Sequence, residues 1–174
     1  MNKKRLIIII ILLLVVCSLG VAFVLNEFNK KAVQKEKDDY YLDLMYIYLK
    51  VEDNSISTSL VSTSYDKITE IANDGESRVV GLKNNDGAKN LSESIIKDRD
   101  DDFSCTMRTD MGSDIIKQYS NICDDMAECY DAMYKGDYTA FSDAYFKLEL
   151  DMNVAKTLLN EFADKCNALG VDVN

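Results

Sequence analysis

Four cysteines, Cys105, Cys123, Cys129 and Cys166, and a crowd of carboxylates are the residues of this chain with usable chemistry, and the lack of any histidine narrows that use. Without an imidazole there is no Ser-His-Asp or Cys-His relay and no histidine-bearing zinc site. The cysteine spacings of 18, 6 and 37 residues contain no paired CxxC, so no metal centre is expected. An even number of cysteines in an exported domain points instead to disulfides. Cys123 and Cys129 sit on one expected helix, about 9 Å apart along its axis and on different faces, too badly placed to bond. If the last two helices turn near Asp137, Cys166 comes level with residues around Met107, and Cys105–Cys166 is the expected bridge. Four reduced thiols would follow if the domain were cytoplasmic.

Three other patterns resemble sites. Asn84, Asp86, Gly87, Asn90 and Glu93 fall where a calcium loop carries ligands, but Leu82 occupies its first position and Lys89 its eighth, so a polar turn is expected. Ser94 and Lys97 have the SxxK spacing of serine acyl-enzymes. No SDN or KTG partner accompanies them, since Ser113-Asp114 runs into Ile115 and Lys156-Thr157 into Leu158. Asp124, Asp125, Glu128 and Asp131 crowd one helix, and such acids do chemistry only where a cleft shifts a pKa. The chain is therefore read as a non-enzyme with no catalytic, cofactor-binding or metal-binding residues. Tyr40, Tyr41, Tyr46 and Tyr48 form the candidate interaction surface, because tyrosine is large, stiff and half polar.

The elements that must position these residues begin with an anchor. Residues 6–25 carry no charge, and twenty helical residues span about 30 Å, the thickness of a bilayer's hydrocarbon core. Lys3, Lys4 and Arg5 precede this run. The pattern reads as an uncleaved signal-anchor, with cleavage near Gly20 and Ala22, or lipidation of Cys17 after the bulky Val16, as the poorer alternatives. Basic residues flank both ends of the run, so charge alone does not orient it, and its resemblance to an export signal places the rest outside the cytoplasm.

Beyond residue 25, 17 basic residues face all 30 acidic ones, a formal charge of −13. Such a surface repels phosphate backbones and anionic lipid, which excludes nucleic acid as a partner. No proline interrupts the chain and only seven glycines loosen it. Apolar residues at helical spacing predict one long helix from Tyr40 to about Asn73, weakened between Ser55 and Ser64, an irregular segment from Gly75 to Gly87, and a second helix over Ala88 to Asp102. A third is expected from a Ser113 N-cap to Lys135, with Gly112 as an interruption and Gly136 as the stop. A fourth runs from Asp137 to Gly170 on a stripe that includes Phe141, Leu148, Ala155, Phe162 and Cys166.

The fold class is all-α, an N-terminal transmembrane helix followed by an antiparallel four-helix bundle. Residues 1–5 form a basic cytoplasmic tail, 6–25 the anchor, 26–39 a charged stalk and 40–174 the acidic bundle domain. The expected role is a membrane-anchored, extracytoplasmic binding or scaffold module of the cell envelope with a protein partner. An accessory or sensing subunit of a membrane complex is the alternative, followed by an enzyme using carboxylates or Ser94 and Lys97.

Overall fold

The structure, a computed structural model, describes residues 3–47, 56–103 and 105–171, the side chains of residues 3–23, 56–62 and 102 excepted. Every regular element among them is helical: α1 (Lys3–Ile47), α2 (Ile56–Asp74), α3 (Glu76–Gly81), α4 (Asp86–Asp102), α5 (Asp110–Lys135) and α6 (Tyr138–Ala168). The chain divides into two compact units, residues 1–38 and residues 39–174. The expected anchor at residues 6–25 falls, apart from Val24 and Leu25, where side chains lie outside the described residues. Among the described residues no helix is long and apolar enough to cross a membrane. In the first unit Lys30 pairs with Glu27 at 3.1 Å and Gln34 donates to Asp38 at 2.7 Å, local contacts along one exposed helix face.

The second unit is a helical bundle organised around α5. Twelve of its 26 residues are buried, against six of the 31 in α6, so α5 is the helix enclosed by the others: α6 and α4 pack along it, and α2 and α3 add smaller contacts. Ile115, Ile122, Met126 and Met133 recur at steps of seven, four and seven residues and are fully buried, which is the spacing that keeps one helix face inward. Phe141, Leu148 and Phe162 from α6, Ile68 from α2 and Ile95 from α4 complete the core.

The α5–α6 hairpin turns in two residues. Gly136 adopts φ 68°, a left-handed conformation, while the Asp137 N–H donates to the Ala132 carbonyl at 3.0 Å and satisfies the last turn of α5. Asp137 then accepts from the Ala140 N–H at 3.0 Å and caps α6. Gly136 is also short of room, since a Cβ there would lie 2.9 Å from the Lys83 Cβ. The preceding loop is pinned to the same end of α5 by the Asn84 N–H, which donates to the Tyr134 carbonyl at 2.8 Å.

Several expectations need correction. The expected helix over residues 40–73 is described up to Ile47 and from Ile56, and its middle, residues 48–55, lies outside the described residues. The irregular segment after Gly75 contains the short helix α3. The third helix starts at a Thr109 cap rather than at Ser113, and Gly112 lies inside it. The reason is Asp43 of α1, buried at 2 % exposure. Its carboxylate accepts from the Arg108 N–H at 2.9 Å, the Thr109 N–H at 2.8 Å and the Thr109 hydroxyl at 2.7 Å. The Thr109 Oγ1 in turn accepts from the Gly112 N–H at 2.9 Å. A Cβ on Gly112 would stand 2.5 Å from the Asp43 Oδ2, so glycine is required there for close approach rather than for a break.

Asp43→Ala is expected to lower unfolding free energy by about 2–4 kcal/mol, because it orphans buried donors at a helix start. Gly112→Ala should cost about 1–3 kcal/mol by overpacking. Asp39→Ala, which removes a long 3.9 Å pair between a half-buried carboxylate and the exposed Arg108, should stay within about 1 kcal/mol. Urea unfolding of the full chain measures all three.

Candidate functional site

The residues singled out from the sequence do not converge on one place. Cys105, Cys123, Cys129 and Cys166 carry no disulfide, so the expected Cys105–Cys166 bridge is not formed. Cys105 lies in the irregular segment ahead of α5, where its Sγ faces the Met107 Sδ at 3.8 Å, whereas Cys166 is fully buried on α6. Burial pushes the Cys129 thiol up to about 12, and burial with the charge of Asp43 pushes Cys166 up to about 11. Both are therefore held as unreactive thiols.

The tyrosine cluster is not one surface. Tyr40 is buried, its ring 5.4 Å from that of Phe162 and its hydroxyl donating to the Met111 Sδ at 3.2 Å. Tyr46 packs half-buried against the core, Tyr41 is exposed, and Tyr48 lies outside the described residues. Ser94 and Lys97 stand exposed on α4, and neither lines the cavity between α2, α3, α4 and α5. In the calcium-like loop, Asn85 accepts from the Gly87 and Ala88 N–H groups and caps α4. Among the described residues no group of three or more acidic or cysteine side chains is arranged to hold a metal ion.

The acids of α5 separate into two kinds. Asp124 pairs with Arg99, Glu128 with Lys147 at 3.1 Å and Asp131 with Lys135 at 2.5 Å. Asp125 is turned into the hairpin, and its Oδ2 has no hydrogen-bond partner among the described residues. Burial first, then the negative charges of Asp151 from α6 and Glu128 from α5, raise its carboxyl to about 6, with Lys147 of α6 opposing them. A buried carboxyl that titrates near neutrality is a strain within the bundle. No nucleophile with a lowered pKa stands beside it, since the neighbouring Cys129 is shifted upward.

The feature suited to recognition is on the outer side of α6. Phe146, Leu150 and Val154 are 73, 56 and 39 % exposed and spaced by four residues, so they run along one face, opposite the buried Phe141, Leu148, Ala155 and Phe162. No described residue of the second unit covers them. Exposed Asp143 and Glu161 lie seven residues from Leu150 and Val154, on the same side of the helix. Lys147 pairs with Glu128 and also feels the charge of Asp143, and the acids Asp143 and Glu161 outnumber it on this face. The sequence held a signal for it: α6 carries a second apolar series at a period of four that the core stripe does not use. The chain matches no family model, no curated protein and no solved structure.

Two outcomes follow from these side chains. The folded-state pKa of Asp125 lies above the unfolded value of about 3.9, so stability from this group is complete below about pH 4 and is lost as pH rises toward 6. Asp125→Asn should raise stability at pH 7 by on the order of 1–2 kcal/mol and flatten the dependence between pH 4 and 6, read from thermal unfolding across that range. In the native protein a thiol reagent should modify Cys105 quickly. Cys123, Cys129 and Cys166 should react only on unfolding, as peptide mapping after timed labelling would show.

Proposed function

We propose that this chain is a membrane-tethered, extracytoplasmic, non-enzymatic binding module whose acidic bundle docks a partner helix on the outer face of α6. The observation that carries the reading is Phe146, 73 % exposed and continued by Leu150 and Val154. Large apolar side chains in a row on a helix facing water mark the centre of an interface more often than a free surface. Three residues make a hot-spot core, and the polar Ser142, Asn153 and Thr157 beside them suit a rim.

Charge selects the occupant. A second copy of a domain carrying −13 is repelled, as is an anionic lipid surface, whereas an amphipathic helix with Lys or Arg beside its apolar stripe meets Asp143 and Glu161 favourably. The tether is supported by the uncharged run at residues 6–25. Export is supported by the likeness of that run to a signal-anchor, since long domains translocate largely regardless of their charge. Free thiols are compatible with an oxidising compartment when they are buried and shifted upward, as Cys129 and Cys166 are.

Topology is tested with Ser94→Cys, an exposed α4 position away from the docking face, labelled in intact cells by a membrane-impermeant maleimide. Labelling before lysis is the expected result, and labelling only after lysis overturns export. A photo-crosslinking residue at position 150 should capture a segment that mass spectrometry maps to a basic amphipathic helix, and Phe146→Asp should reduce that adduct at least tenfold. An adduct to another copy of this chain, to lipid, or no adduct overturns the docking.

A further inference from the structure

A cavity of about 330 Å³ opens between α2, α3, α4 and α5, on a different part of the bundle from the α6 stripe. Its floor is Met133 and Tyr130, both buried, and its walls are the half-buried Ile71, Leu82 and Leu91. The polar groups around it are largely spent. The Tyr130 hydroxyl donates to the Ser64 carbonyl at 3.4 Å, and the Asn85 Oδ1 is occupied by its cap on α4. What remains is charge at the rim: Lys67, with no ion pair among the described residues, Glu70, and Arg78, which is held only by an exposed 3.9 Å pair between its Nε and Asp74.

We infer that this cavity binds a small amphipathic monoanion, a medium-chain carboxylate, with its hydrocarbon on Met133 and its carboxylate between Lys67 and Arg78. The volume lies at the lower end for sites that enclose small ligands, which suits a short chain and excludes a long lipid tail. An apolar floor with no free donor or acceptor selects hydrocarbon, because a polar group placed there would lose its hydrogen bonds to water without replacement. With Arg78 shared with Asp74, Lys67 is the lining cation without an ion pair among the described residues, which matches a single negative charge rather than a dianionic phosphate. Arg78 supplies a planar fork of donors and Lys67 a point charge, so a carboxylate is held by geometry as well as by charge. Two cations converging on one apolar opening stand out on a domain whose net charge is −13.

The inference does not depend on the docking proposed for α6, and its test reads a different helix. Full chain carrying ¹³C-methyl methionine in lipid nanodiscs is titrated with octanoate, and the Met133 methyl on the cavity floor is followed by NMR beside that of Met152 on α6. Octanoate should shift Met133 saturably and leave Met152 unmoved. Hexanoate should bind more weakly by about fourfold for each methylene lost, and octanol at least tenfold more weakly than octanoate. The double variant Lys67→Gln, Arg78→Gln should keep the methyl spectrum of the folded chain and lose the preference for octanoate over octanol. Four results overturn the inference: no shift at Met133, equal shifts at both methyls, unchanged preference in the double variant, or tighter binding of hexyl phosphate than of octanoate.

Discussion

A carboxylate withdrawn from water is tolerable only if hydrogen bonds replace those it gave up, and Asp43 meets that condition with donors contributed by a chain segment 65 residues away. The Arg108 and Thr109 N–H groups and the Thr109 hydroxyl all point at it. The start of α5 supplies more than donors, since the unpaired N–H groups of a helix's first turn carry partial positive charge. One side chain thus fixes the Thr109 cap of the central helix, compensates its own burial, and joins α1 to α5. Gly112 follows as a necessity of that geometry, because the carboxylate occupies the space a Cβ would need.

With the α5 start placed by Asp43 and its end by the Gly136–Asp137 turn, the remaining helices have little freedom. α6 returns along α5 in a register set by a two-residue connection, and the Asn84 loop is drawn against the same end of α5. The helix enclosed on several sides buries both its apolar stripe and, at Asp125, a carboxyl that the hairpin does not fully satisfy. α6, covered on one side only, keeps a second apolar row for the outside.

The all-helical class was legible in the lack of proline and in apolar residues recurring at three and four. The hairpin was legible because Gly136 and Asp137 are a helix stop and a helix start side by side. Gly112 misled, since a glycine required for close approach looks in sequence like a glycine required for a break, and the partner that crowds it is 69 positions away. The tyrosines misled for a related reason: crowding along the chain does not reveal that Tyr40 turns toward Phe162 and Tyr41 toward water. The cysteine pairing rested on straight helices and a common level, and it could not register that Cys105 lies in an irregular segment beside Met107. Phe146, Leu150 and Val154 were readable at a period of four, but a second apolar series on one helix is easily absorbed into the first.

The two-residue connection between α5 and α6 has a kinetic consequence. Contacts within that hairpin join residues close in sequence, so little chain entropy is lost in forming them, whereas the Asp43 contacts close a loop of more than sixty residues. The hairpin is then the natural early structure and the Asp43 junction a late one. Interactions absent from the folding transition state act on the escape rate rather than on the rate of formation. The lifetime of the folded bundle is accordingly governed from one end of α5, and the speed of its assembly from the other.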